Sequence, residues 1–246
     1  MIASRPSAHD DFYIGYGGEM PRAIGRRVRM AVTIVAAVAA VSVLVVVVAP
    51  TRLPPSRFEF GVVTERTGIL KRTPYPTLDA GRKQLLLVGR GKWGADRQLS
   101  SIADGPVTIR GSRIQRGDRE MLEVHDARPA ASSAVSRDPQ TREPSTIATF
   151  VTLRGEIVDS KCFLGVMNPG EGAVHRDCAR RCVSGGIPPM LVVRDGRHRE
   201  ELIVLLAADG GAIGREIVQA TGKPVEVSGF LVRGSDGYAL RVSSWQ

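Results

Sequence analysis

The chain has 246 residues, 43% hydrophobic and 24% charged, with 34 basic side chains against 25 acidic ones and a net charge of +9. That balance excludes disordered, collagenous and disulfide-dense classes and leaves room for one or two folded domains. The excess charge lies mainly in residues 50–128, with fifteen basic and nine acidic side chains. Such a block either attracts acidic partners or serves as a solubilising surface.

Residues 1–29 read as a short cytoplasmic tail. Phe12, Tyr13, Ile14 and Tyr16 cluster in it, which suits a membrane interface or a docking peptide. Residues 30–49, "MAVTIVAAVAAVSVLVVVVA", carry no charge. Twenty such residues cross a hydrocarbon core of about 30 Å as a helix. The run is longer than the apolar part of a cleaved signal peptide, and Pro50 follows it directly, so the expectation is an uncleaved transmembrane signal-anchor. Arg22, Arg26, Arg27 and Arg29 precede it, while Arg52, Arg57 and Arg66 trail more sparsely behind it. This bias places the N-terminus inside. The expectation is a single-pass protein of a bacterial inner membrane, with its C-terminal domains in the periplasm.

The exported part divides into a first block, 50–128, a linker, 129–146, and a second block, 147–246. The linker "PAASSAVSRDPQTREPST" is rich in Pro, Ala, Ser and charge and has no apolar period. The blocks read as copies. Gly68-x-Leu70 matches Gly155-x-Ile157, and Leu85–Val88 matches Met190–Val193. Val107-x-Ile109-x-Gly111 matches Val225-x-Val227-x-Gly229, and Leu122-x-Val124 matches Leu240-x-Val242. Period-two alternation marks half-buried strands. Five short strands per block with late hairpins predict two small OB-like β-barrels, so the fold class is mainly β.

The second block holds an insert that the first lacks, with Cys162, His175, Cys178 and Cys182. "AVHRDCARRCVSGG" predicts a short helix stopped by Gly185-Gly186 and then Pro188-Pro189. At about 100° per residue, His175, Cys178 and Cys182 share one helix face, and Cys162 arrives from the end of the first strand. Arg176, Arg180 and Arg181 lie near enough to favour thiolates. Three readings stay open. A Cys3His set suits Zn, Cu(I) or an Fe–S cluster, in a structural or redox role rather than an open catalytic one. Exported cysteines also pair, and a bridge from Cys162 to one of the other two would staple the insert. A low-pKa spare thiol beside such a bridge would allow thiol–disulfide exchange.

The stretch "GEIVDSKCFLG…HRDCARRCVSGGIPP" resembles small exported bacterial proteins with the pattern G-E-x-V-D-x-x-C, then H-x-x-C-A-x-x-C-x-x-G-x-P. The matching positions are Gly155, Glu156, Val158, Asp159, Cys162, His175, Cys178, Ala179, Cys182, Gly185 and Pro188. The resemblance covers about the last 100 residues. It implies an exported domain in which the three cysteines and His175 act together, and it selects no metal.

Other signals are weaker. "GRGKWG" at Gly89–Gly94 lacks the spacing of a phosphate loop, and Trp93 reads as a barrel-mouth aromatic. Met167 is a candidate soft ligand or a packing residue. Glu156 and Asp159 read as a solvated strand face. Aromatics make up only 5% of the chain, too few for the stacking platforms of a single-strand binder, so nucleic acid is not an expected partner. No diagnostic nucleophile–base arrangement is present, and an enzyme is not expected. The functional expectation is an accessory protein with a metal or redox site beside a larger membrane redox complex. The alternative is an assembly subunit whose cysteines only hold its fold together.

Overall fold

The computed structural model describes residues 21–49, 56–81, 83–134, 148–194, 200–234 and 237–246. The predicted tail before residue 21 and residues 135–146 of the predicted linker lie outside them. The chain forms two compact units, Met1–Leu53 and Pro54–Gln246.

The described part of the first unit is one helix, α1 (Arg22–Val48), with no buried residue and a mean hydropathy of 3.0 in its most apolar window. Its 27 residues span about 40 Å at 1.5 Å per residue. Valine is only a middling helix former because its branched Cβ crowds the preceding turn. A Val-rich helix of this length suits an apolar medium, where each backbone group must be bonded within the segment. The helix is long and apolar enough to cross a membrane, a test that a signal sequence also meets. It begins eight residues before the predicted span and takes the four arginines into its first turns. Cations there oppose the helix dipole, so they do not serve as caps.

The second unit contains two closed five-stranded barrels. The first is built from β2 (Thr64–Lys71), β3 (Thr77–Asp79), β4 (Gln84–Val88), β5 (Gly105–Arg116) and β6 (Arg119–Pro129). β1 (Ser56–Phe58) pairs with the far end of β5. β7 (Ala148–Asp159), β8 (Pro189–Arg194), β9 (Glu200–Leu206), β10 (Pro224–Gly234) and β11 (Gly237–Trp245) make the second. Within each barrel, numbering its strands one to five, the order is 1-2-3-5-4 and back to 1. Strands three and five run parallel and all other pairs are antiparallel. This is the Greek-key strand order of an OB-like barrel, as expected from the strand spacing.

The repeat holds to the level of single residues. Gly68 pairs with Val107 and Gly155 with Val225. A Cβ on either glycine would overlap a carbonyl oxygen of the second strand, Asp79 in one barrel and Val192 in the other. Gly111 pairs with Val124 just past a β-bulge, and Gly229 pairs with Val242 just past another. One equivalence from sequence is corrected: Leu85–Val88 is a third strand, whereas Met190–Val193 lies in a second strand. The true counterpart of β8 is β3, only three residues long with Leu78 alone buried. It is too short to display a period.

Each barrel has its own core. Leu70, Leu87, Ile109 and Leu122 fill the first, and Ile157, Leu191, Val227 and Leu240 the second. A short helical segment between strands three and four seals each interior. Leu99 of α2 (Asp96–Leu99) closes the first, and Ile217 of the 3-10 turn Arg215–Gln219 closes the second. Each of these side chains is fully buried, a contribution of about 1.5–3 kcal/mol.

A third apolar cluster joins the barrels. It takes Val88, Ile114 and Met121 from the first and Val158, Phe163, Leu164, Met190 and Leu202 from the second. Polar groups tie its edges. The Tyr75 hydroxyl donates to the Leu205 carbonyl at 2.9 Å and accepts from the Ile213 N–H at 3.0 Å. Burial pushes its phenol up to about 12. The Arg116 guanidinium is almost wholly buried, grips Glu200 through two bonds of 2.8 and 3.0 Å, and lies 4.0 Å above the Phe163 ring.

Candidate metal centre

The insert leaves the second barrel where β7 ends, at Asp159. This carboxylate is fully buried, not part of the solvated face read from the sequence. Its Oδ1 accepts from the Cys162 N–H at 2.8 Å, the geometry of a side-chain helix cap. A π-helical turn, Cys162–Val166, follows. Cys162, Phe163 and Leu164 are buried in that turn, which anchors it to the inter-barrel cluster. Glu156 accepts the Gly172 N–H at 2.6 Å and pins the loop that leads on to the helix.

That helix, α3 (Arg176–Ser184), ends as the sequence predicts. Gly186 adopts φ +90° and donates to the Val183 carbonyl, while the Ile187 N–H reaches back to Cys182. His175 differs from expectation: it precedes the helix at the cap position rather than standing on its face. Its carbonyl accepts the Ala179 N–H as the first bond of the helix, but the imidazole is taken up by Asp159 rather than by Cys178 and Cys182. Its Nε2 meets Asp159 Oδ2 at 3.1 Å, and both side chains are buried.

The donor atoms therefore fall into two overlapping groups. The sulfurs of Cys162, Cys178 and Cys182 lie within 4.8 Å of one another, and so do the ligand atoms of Asp159, Cys162 and His175. Cys162 belongs to both. Cys162 and Cys182 are buried, Cys178 is partly exposed, and all three thiols are unbridged. Met167 is close to half exposed and belongs to neither group.

The electrostatics separate the thiols. The hydrogen bond with Cys182, burial and the nearby Asp159 charge push the Cys162 thiol up. The same bond pushes the Cys182 thiol down, helped by Lys92 and Cys178 against burial and Asp159. One proton is thus held on the Cys162 side of the pair, and thiolate character gathers at Cys182.

The cation that serves this site comes from the first barrel. Lys92 Nζ lies 2.7 Å from Cys178 Sγ. Two of the arginines expected to do this work are engaged elsewhere. Arg176 donates to the Gly222 carbonyl and Arg180 to Gln219, both docking α3 on the second barrel. The segment Gly89–Gly94, read from sequence as a weak phosphate loop, lies against the insert instead. The Gly94 N–H donates to the Gly185 carbonyl at 2.9 Å. Buried Lys161 donates to the Gly89 and Gly91 carbonyls at 2.7 and 2.8 Å and pairs with Glu123 at 2.5 Å. Trp93 in this loop is 66% exposed.

Sequence reasoning missed Asp159, Lys161 and Lys92. A signal existed for the first: Asp159 precedes Cys162 by three residues, the spacing of a helix cap. None existed for Lys92, because 86 residues separate it from Cys178.

The donors fit a soft ion. Zinc–thiolate bonds of about 2.3 Å set tetrahedral sulfurs about 3.8 Å apart, within the 4.8 Å that contains these three. A set of three sulfurs selects Zn, Cu(I) or Fe–S over hard cations. His175, oriented by a carboxylate as metal-binding histidines usually are, approaches the set through Cys162. No family model, curated protein or solved structure matches the chain.

Proposed function

We propose that the chain is a membrane-anchored, exported accessory protein whose second barrel holds one soft metal ion. Cys162, Cys178 and Cys182 supply the thiolates and His175 the fourth group, with Asp159 orienting it. The observation that carries this reading is the convergence of three sulfurs within 4.8 Å, two of them buried. As zinc, the ion would cross-link the insert and contribute folding free energy directly. As copper or an iron–sulfur cluster, it would carry an electron for a larger membrane redox complex. α1 supports the membrane location, and its arginines support an N-terminus inside a bacterial inner membrane.

A second reading rests on the Cys162–Cys182 contact. Two hydrogen-bonded thiols are close to forming a disulfide, which would act as a staple or exchange with a partner disulfide. A hydrolytic or acyl-transfer role is disfavoured. Asp159, His175 and Cys162 have the residue types of a catalytic triad, but Cys162 is buried and its thiol is pushed up, the reverse of an activated nucleophile.

Elemental analysis of the full chain, purified anaerobically in detergent, tests the proposal. The expected result is about one metal per chain, abolished by Cys178→Ser and weakened by His175→Ala. Metal content equal in His175→Ala and wild type would remove His175 as a ligand. No metal in either, with Cys162 found bridged, would establish the staple.

A further inference from the structure

Lys92 and Cys178 stand closer than their chemistry ordinarily allows. N–H···O hydrogen bonds occupy about 2.7–3.2 Å, and sulfur is a larger and weaker acceptor than oxygen. At 2.7 Å the nitrogen and sulfur are nearer than a hydrogen bond to a thiol requires and farther apart than a direct S–N bond. One bridging atom fits the gap. The approach is held from both sides. Lys161 grips the carbonyls of Gly89 and Gly91, the Gly94 N–H holds Gly185, and the Lys92 carbonyl fills the space that a Gly185 side chain would need. Cys178 is also the one thiol of the three that is partly exposed, since Cys162 and Cys182 are buried and hydrogen-bonded to each other. Lys92 is exposed and Cys178 partly so, so a small oxidant can reach the pair.

We infer that Lys92 and Cys178 are a modification site, at which dioxygen installs a single oxygen to give a covalent Nζ–O–Sγ bridge between the barrels. The Lys92 amine, the Cys178 thiol and one dioxygen molecule give the bridge and one water. One N–H and the S–H bond break, and an N–O and an O–S bond form. Dioxygen takes four electrons, and its second oxygen leaves as water with the two hydrogens removed. Excess thiol reverses the change, restoring amine and thiol with release of water and two disulfides of the reductant. The geometry stands by itself. The consequence rests on the metal reading: a bridged Cys178 is no longer a ligand, so oxidation would discharge the metal.

The test uses the full chain in detergent, prepared with and without air and then digested with trypsin for mass spectrometry. The expected aerobic product is a peptide pair linked through Lys92 and Cys178, heavier than the two peptides by one oxygen less two hydrogens. Cleavage after Lys92 should be blocked, and dithiothreitol should dissolve the link. Lys92→Arg keeps the cation and Cys178→Ser keeps the size, and both should lack the product while retaining the wild-type circular dichroism. A wild-type aerobic sample with no linked peptide and a fully alkylatable Cys178 overturns the inference. A product lighter by two hydrogens alone, a direct S–N bond, overturns it as well. Zinc titration of the reduced anaerobic protein separates the two proposals. Linkage without zinc binding, in a protein that is also metal-free by elemental analysis, sinks the metal reading alone, and zinc binding without linkage sinks the bridge alone.

Discussion

Lys161→Met would remove a buried cation while keeping most of its volume. The ammonium is 3% exposed and its partner Glu123 is 9% exposed, 2.5 Å away. Deleting one member of such a pair leaves the other charge uncompensated, at a cost of about 3–5 kcal/mol. The buried Gly89 carbonyl also loses its donor, which adds about 1 kcal/mol, whereas water can replace the lysine at exposed Gly91. A net cost of about 4 kcal/mol is a large share of the roughly 5–15 kcal/mol that holds a domain folded. With a urea slope of about 2 kcal/mol/M, the midpoint should fall by about 2 M. The assay is urea denaturation of the full chain in detergent, followed by circular dichroism. Adding Glu123→Met should recover most of the loss, because an apolar replacement of both partners is often near neutral. A single variant within about 1 kcal/mol of wild type would refute the reasoning, as would a double variant whose loss equals the sum of the two singles.

Three further outcomes are expected. Burial pushes the Glu200 carboxyl up, but bonds and charge from Arg116 and Arg194 outweigh it and hold it low. Its stabilisation is therefore present above the unfolded carboxyl range and fades as pH drops below about 4; denaturation curves should show the gap between wild type and Glu200→Gln closing there. Residues 147–246 expressed alone lose Val88, Ile114 and Met121 from the joint cluster. The fragment should aggregate in light scattering and be rescued by co-expressed residues 54–134, whereas a cooperative melt of the fragment alone would show that its barrel is self-sufficient. Alkaline phosphatase fused after Trp245 should be active in bacteria, and activity only from a cytoplasmic reporter would reverse the proposed topology.

The barrels were legible in sequence because their fourth and fifth strands are long, alternate over short runs such as Val107/Ile109 and Val225/Val227, and keep glycines at fixed offsets from leucines. The second strand of the first barrel was not, since three residues carry no period. The three cysteines signalled their own convergence through helical spacing and the nearby strand end. His175 misled because it stands at the cap position, where its imidazole pairs with Asp159 rather than joining the helix face. Asp159 looked solvated because alternation along a strand gives its side but not what covers that side. The first barrel's share of the site was hidden for a different reason. The pattern Gly89–Gly94 stood out locally but nothing in it points to the thiols, and the role of Lys92 and Gly89 follows from how two separately closed barrels dock.

That docking makes two barrels of the same strand order unequal parts of one site, one carrying the thiols and the other a lysine and a pair of carbonyl acceptors. Loop Gly89–Gly94 and the insert touch through backbone atoms at Gly94 and Gly185 and through Lys161. A change of length in either segment must therefore be answered in the other. Recombination that exchanged one barrel for a relative's would separate the thiols from their cation even if both halves folded. The two barrels therefore work as one unit, and the cysteine-free one supplies what the cysteine-bearing one lacks.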